Sequence, residues 1–300
     1  MKIFVTGATG FIGSAVVQEL LRAGHRVLGL ARSDAAAAAV AAAGAEAHRG
    51  DLTDPDSLRA GAAACDGVIH TGFIHDFANF KAVCDTDRQV VAALGAALAG
   101  SQRPLLVSSG VALPGSGGVV TEDDRVDVAR DHIPRVVTEL ACDELAARGV
   151  RVGVLRFPPT VHGAGDHGFV PLLIDTARRQ GASAYLGEGQ NRWPAVHRLD
   201  AATLVRSAIA HPFTPGTRFH VVAEAGVPFR AIAEIIGKRL QLPVVARAPA
   251  EASDHFGWFA HFAGLDRPAS SQRTRDALGW APVQPELLAD LDSPAYFPDA

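Results

Sequence analysis

Residues 1–13 read MKIFVTGATGFIG, and the turn Thr6-Gly7-Ala8-Thr9-Gly10-Phe11-Ile12-Gly13 decides the fold. The apolar run KIFV enters the turn as a strand, and a helix-like segment leaves it from Ser14 to Ala23. Gly7 permits the tight turn, Gly10 lets the backbone approach a ligand, and Gly13 allows close packing of helix on strand. A helix N-terminus at that point attracts negative charge. Strand, glycine turn and helix in this order are the context a dinucleotide-binding reading requires. A glycine-rich turn without a ligand is the competing reading.

The same logic extends outward. A second strand, HRVLGLAR, ends in Ala31-Arg32-Ser33. An acidic residue there would bond the adenosine ribose of NAD(H); an arginine and a hydroxyl suit a ribose 2′-phosphate, which favours NADP(H) over NAD(H). An exposed loop arginine is the alternative. The run DAAAAAVAAAG reads as an ordinary helix, with Asp34 to cap its start and Gly44 its end. Gly50-Asp51-Leu52 closes a third strand, where Asp51 either accepts from an adenine amino group or caps the helix after Thr53.

Further strands are GVIHTG, PLLVSSG and VRVGVLRFP, with helical stretches around residues 80–99 and 135–148. Six strands by residue 157, alternating with helices, predict an α/β architecture, a doubly wound parallel Rossmann sheet. Beyond that point proline and glycine become frequent, and strands such as ASAYLG and RFHVVAE are short. A smaller C-terminal α/β substrate domain is expected from 166–194 and 223–300, over a nucleotide-binding domain of 1–165 that also receives about 195–222.

Composition narrows the function classes. The chain has 300 residues, 48% of them hydrophobic, and a net charge of −4. That is enough for a sizeable core, and without a Lys/Arg run it carries no footprint for nucleic acid or an anionic membrane. The partner expected is a small molecule. The N-terminus enters a strand directly, without a signal peptide, and no apolar stretch reaches spanning length, so a cytoplasmic protein is expected. Cys65, Cys84 and Cys142 share no pairing pattern and read as buried free thiols.

These segments together resemble the extended short-chain dehydrogenase/reductases, the group of NAD-dependent epimerases and dehydratases. Beyond TGATGFIG, the segment GDLTD (Asp51, Leu52) is similar to the family's adenine-contacting stretch, and VIHTGF (Thr71, Gly72) to the fourth-strand segment that passes the cofactor. LLVSSG is similar to its serine motif, and LRFPPTVHGAGD (Pro158, Thr160) to the segment beside the nicotinamide. WPAVHRLDAA resembles its Val-His-x-x-Asp stretch, and RTRDALGWAP its C-terminal helix. The resemblance implies hydride transfer at a carbonyl or alcohol, with a Tyr as proton donor and a Lys four residues on. It also implies a homodimer through the helices near 80–99 and 135–148, for which those helices would show an exposed apolar face.

The Tyr-Lys pair is absent. The two tyrosines, Tyr185 and Tyr296, are followed four positions on by Gly189 and Ala300, and the lysines are Lys2, Lys81 and Lys238. In the family's register the Tyr falls on Arg135, the Ser on Thr138, the Lys on Glu139 and the acidic residue on Asp143. Arg135 is too basic to act as an acid. It either stabilises an oxyanion or makes an exposed i,i+4 pair with Glu139.

Ser109 aligns with the family's serine and is expected to orient the substrate oxygen. His162 is the first choice for a replacement proton donor, having a side chain that titrates near neutrality. Phe73, Trp193 and His197 are expected on the substrate side. The histidine pairs lack the spacing of a ligand set, so no metal is expected. The aromatics Phe256, Trp258, Phe259 and Phe262 read as a lid or as packing. An NADP(H)-linked oxidoreductase with a non-standard proton donor is the leading reading; a nicotinamide-dependent epimerase and a non-catalytic NADP(H) sensor are the alternatives.

Overall fold

The computed structural model describes residues 1–76, 78–113, 118–126 and 133–297. Its strands are β1 Lys2–Thr6, β2 Arg26–Ala31, β3 Glu46–Arg49, β4 Gly67–His70, β5 Leu105–Gly110, β6 Val152–Phe157, β7 Thr160–His162, β8 Ser183–Leu186, β9 Arg192–His197, β10 Thr217–His220, β11 Glu224–Pro228 and β12 Val244–Arg247. Seven of them form one parallel sheet in the order β10-β6-β5-β4-β1-β2-β3. Near-continuous apolar runs suit strands buried on both faces, and Ile3, Phe4 and Val5 are fully buried.

Helices α1 Phe11–Arg22, α2 Asp34–Ala42, α3 Pro55–Ala63, α4 Phe80–Leu98, α5 Val136–Ala147, α6 Phe169–Gln180 and α7 Arg198–Ala210 follow these strands. One core joins the sheet to α1 and α7 through Val16, Leu20, Leu204 and Val205. The opposite face is covered by α3, α4 and α5 through Leu58, Val90, Leu94 and Leu145. Strand β1 lies between β2 and β4, so the strand order reverses there. A crevice outside the carboxyl ends of β1 and β4 is where such sheets bind ligands.

The remaining helices are α8 Phe229–Leu240, α9 Ala252–Phe256, α10 Ala260–Ala263, α11 Gln272–Leu278 and α12 Leu287–Leu291. A three-stranded sheet, β11-β9-β7, and a two-stranded one, β12-β8, belong to the C-terminal part. A separate core there gathers Trp193, Phe229, Phe256 and Phe259. Trp193 is fully buried, edges the Phe229 ring at 4.9 Å and donates its indole N–H to the Phe262 carbonyl. It is a packing residue and not a substrate wall, because an indole so enclosed has no face left for a ligand. The aromatic segment is packing as well, with Trp258 alone 59% exposed.

Several local expectations shift. Ser33, not Asp34, caps α2 by accepting from the Ala36 N–H. Asp54, not Asp51, caps α3, since its carboxylate sits next to the Pro55 start and accepts from Asp56 and Ser57. RFHV, within the stretch 195–222 that was expected to return to the nucleotide-binding domain, lies in the main sheet as its edge strand beside β6. Helices α4 and α5 show no large exposed hydrophobic among the described residues. They are tied by an Arg88–Glu144 ion pair at 2.9 Å. The three cysteines are buried and free; burial pushes the thiols of Cys65 and Cys84 up to about 11. No helix among the described residues is long and apolar enough to cross a membrane.

Candidate active site

The glycine turn closes against the end of β4. Gly7 adopts φ +69°, and a Cβ there would lie 2.7 Å from the Gly72 nitrogen; a Cβ on Gly13 would strike the Gly7 carbonyl. Both positions therefore require glycine. Gly10 precedes α1 in an extended conformation with no side-chain cap. The first N–H groups of the helix are left for an anion. Thr9 is exposed, and Phe11 and Ile12 are half-buried at the helix start. The Phe11 ring lies under the Arg198 guanidinium at 4.6 Å and edges His167 at 5.6 Å. Arg198 in turn donates to the Ala164 carbonyl and to Ser14 Oγ, bracing the loop after β7 on α1.

Two residues expected at the cofactor serve the frame instead. Thr6 is fully buried, and its hydroxyl meets His70 Nδ1 at 2.6 Å and accepts from the Gly72 N–H. Thr160 is buried, with its hydroxyl donated to the Pro194 carbonyl. Thr71 closes the turn by donating to the Thr6 carbonyl. Arg32 and Ser33 are exposed at the end of β2, and Leu52 lies against Gly72, 3.3 Å from where a Cβ there would stand. The Asp51 carboxylate accepts from the Thr53 backbone and hydroxyl, which holds it below the usual carboxylate range.

Arg135 and Glu139 do not pair with each other. Arg135 stands just before α5 and reaches Asp87, 48 residues earlier, with Nη1 to Oδ2 at 2.5 Å. It also donates to Thr138 Oγ1, and its Nη2 donates to the Ser108 carbonyl at 3.0 Å. Its plane covers the Phe73 ring at 4.2 Å. Asp87 is buried and also takes the Thr138 hydroxyl at 2.6 Å and the His70 imidazole at 3.0 Å. Burial alone would raise its carboxyl; His70, Arg135 and Thr138 together reverse this and hold it well below the usual range.

Glu139 turns inward. It is fully buried, forked by Arg156 at 2.9 and 2.8 Å, and it accepts the Ser109 hydroxyl at 2.8 Å. Arg218 lies 3.6 Å away and forks Asp143, while His220 meets Arg156 at 3.3 Å. Glu139 is thus a structural anion, and it cannot replace the missing lysine beside a substrate. Ser109 has its proton committed to Glu139, so it has no donor left for a substrate oxygen. Desolvation would raise the Glu139 carboxyl, but Arg156, Ser109 and Arg218 outweigh it and the net shift is downward.

With folded values depressed, the stability that Asp87 and Glu139 contribute is fully present above the ordinary carboxylate pKa of 3.8 to 4.5 and is lost as the pH falls through their folded values. The urea midpoint is expected to hold between neutral pH and about pH 5 and to fall steeply below about pH 4. A midpoint flat down to pH 3 would contradict this assignment.

His162 lies deeper than expected. It is 1% exposed, its Nδ1 meets Asp290 of α12 at 2.8 Å, and its Nε2 has no hydrogen-bond partner. Its ring edges His197 at 5.3 Å, and His197 caps α7 through the Leu199 N–H. Both serve the joint between the sheet and the C-terminal segment. His75 edges Phe73 at 5.5 Å. Burial first, then His167 and Arg135, push its pKa down. Pro158 is buried beside β6. Among the described residues no group of three His, Cys, Asp or Glu side chains could hold a metal ion.

Reading residues singly missed Asp87, His70 and Arg156, yet two of them leave a signal. Asp87 is a charge within the buried stripe Val83, Val90, Val91 of α4, and Arg156 is a charge inside the buried strand VGVLRF. Charges in such places are paired.

Comparison with known proteins agrees with this frame. An uncharacterized protein of Schizosaccharomyces pombe is 48% identical over 99% of this chain and 100% of its own length. A 2-alkyl-3-oxoalkanoate reductase of Stenotrophomonas maltophilia is 29% identical over 70% of this chain and 64% of its own. The solved structure of a dTDP-glucose 4,6-dehydratase from Streptomyces venezuelae with NAD bound superposes with a TM-score of 0.78 at 19% identity, covering 100% of this chain and 97% of that one. The family model for NAD dependent epimerases/dehydratases matches residues 3–222, and the chain belongs to the NAD dependent epimerase/dehydratase family.

Proposed function

We propose that this protein is an NADP(H)-dependent oxidoreductase of a small carbonyl or alcohol substrate, in which Arg135 takes over the oxyanion side of the missing tyrosine's work. The observation that carries this reading is the Arg135 guanidinium, anchored by Asp87, Thr138 and Ser108 over the ring of Phe73, which follows the Gly72 that packs against the glycine turn. A guanidinium has five N–H donors. Among the described residues three are engaged, which leaves the Nε–H and one Nη2–H for a ligand.

The turn fits a dinucleotide: a backbone that excludes any Cβ at Gly7 and Gly13, and a helix start without a side-chain cap. Gly7, Gly10 and Gly13 would admit the diphosphate, Asp51 would accept from the adenine, and Arg32 with Ser33 would take a 2′-phosphate. Bound there, the nicotinamide supplies or accepts the hydride. Arg135 stabilises the negative charge that develops on the carbonyl oxygen. It cannot release its own proton, so the proton comes from solvent on the rim where His75 stands. The name of the bacterial 3-oxoalkanoate reductase supports a carbonyl substrate.

The test is titration with NADPH and NADH, followed by NADPH oxidation across a panel of small aldehydes and ketones. No binding of either nucleotide would sink the reading, and binding without oxidation would turn it to a sensor. Arg32→Ala is expected to weaken NADPH by about 10- to 100-fold, the loss of one charge-assisted contact, while NADH changes by less than about twofold. Equal weakening of both would remove Arg32 from the 2′-phosphate.

A further inference from the structure

A single line of buried hydrogen bonds runs from the glycine turn to Arg135. Thr6 and His70 are register partners at the carboxyl ends of β1 and β4. Thr6 Oγ1 accepts from the Gly72 N–H at 3.2 Å and meets His70 Nδ1 at 2.6 Å. If the imidazole donated at Nδ1, the buried Thr6 proton would be left without an acceptor among the described residues, an expensive arrangement. Thr6 is therefore the donor, Nδ1 the acceptor, and His70 the tautomer that donates its Nε2–H to Asp87 Oδ1 at 3.0 Å. Asp87 Oδ2 then receives Arg135 and Thr138. Thr6, His70, Asp87 and Thr138 are all at most 4% exposed, so no water competes along the line.

The line begins on the backbone that the glycine turn touches. A Cβ on Gly7 would lie 2.7 Å from Gly72 N, the same N–H that Thr6 accepts. A small displacement of the turn must move Gly72 or Thr6, and through rigid buried partners it must move Asp87. We propose that His70 and Asp87 are positioning residues that transmit the state of the glycine turn to the guanidinium of Arg135, aligning it once nucleotide is bound. This rests on the cofactor reading above.

The test avoids turnover. The probe is 2′-phospho-ADP-ribose, which carries the diphosphate and 2′-phosphate but no nicotinamide to touch Arg135. The readout is the Arg135 side-chain N–H resonance in nitrogen-15 spectra, assigned by its disappearance in Arg135→Lys. In the wild type the nucleotide should shift that resonance and slow its exchange with water. In His70→Phe the nucleotide should bind within about threefold of wild type, while the shift falls to less than about a third. His70→Gln, which can still accept and donate, should recover part of it. Asp87→Asn should behave like His70→Phe and serves if that variant does not fold. A full shift persisting in His70→Phe or Asp87→Asn would overturn the relay, as would a wild-type resonance that ignores bound nucleotide. Failure of the wild type to bind the probe would instead overturn the cofactor reading, and the relay with it.

Discussion

Glu139→Lys, which writes a lysine into the position that the resemblance assigns to the family's lysine, is expected to unfold the protein instead of improving it. The ammonium would enter a fully buried pocket already holding Arg156 and Arg218. Removing one partner of a buried ion pair costs about 3–5 kcal/mol, and adding a like charge costs more. A typical domain has only about 5–15 kcal/mol in total. Glu139→Gln, which keeps the shape but removes the charge, should lower the melting temperature by roughly 6–10 °C, taking about 2 °C per kcal/mol for a chain of this size. Replacing Glu139 and Arg156 together by leucine and methionine should cost less than Glu139→Leu alone, because no charge is then left unpaired. Thermal melts at neutral pH measure all three. A Glu139→Lys protein that melts within about 2 °C of wild type would show that Glu139 is not the anion of this cluster.

Arg135→Ala is expected to reduce kcat by about 100- to 1,000-fold, the range seen when one oxyanion donor is removed, with NADPH affinity changed by less than about threefold. The protein should stay folded, since Asp87 keeps His70 and Thr138 as partners and Arg135 is at the edge of the cluster, its side chain 17% exposed. Arg135→Lys should recover little. An ammonium cannot hold Asp87, Thr138 and the Ser108 carbonyl and still offer a planar fork to a substrate. Steady-state kinetics with any substrate found in the carbonyl panel decides it. Unchanged kcat in Arg135→Ala, with nucleotide binding intact, would make the guanidinium a structural anchor of the crevice and nothing more.

The departures between sequence reading and structure follow one pattern. TGATGFIG, the alternation of strands and helices, and the capping of α2 within one residue of expectation were legible. Each is set by backbone demands within a few residues: the positive φ of Gly7, the contact of Gly13 with Gly7, the apolar periodicity of β1 and α1. Side-chain roles at α5 were not legible in the same way. Arg135 and Glu139 stand four apart, and local geometry alone would pair them across one turn. Ion pairs strengthen as water is excluded. The deeper partners therefore win, Asp87 for Arg135 and Arg156 for Glu139, 48 and 17 residues away.

His162 and Trp193 were misplaced for a related reason. A histidine in LRFPPTVHGAGD and a tryptophan in NRWPAV look available in one dimension, and only the docking of α12 and of the aromatic C-terminal core encloses them. The sequence by itself determined a dinucleotide-type turn, a doubly wound sheet and the loss of the Tyr-Lys pair, because glycine geometry, periodicity and residue identity are local properties. Tertiary structure alone decided that Arg135 stays at the part-exposed edge of its cluster while Glu139 is locked in the core. Which charge stays near water is fixed by the partners that distant strands and helices bring to it, and those partners lie outside any local window.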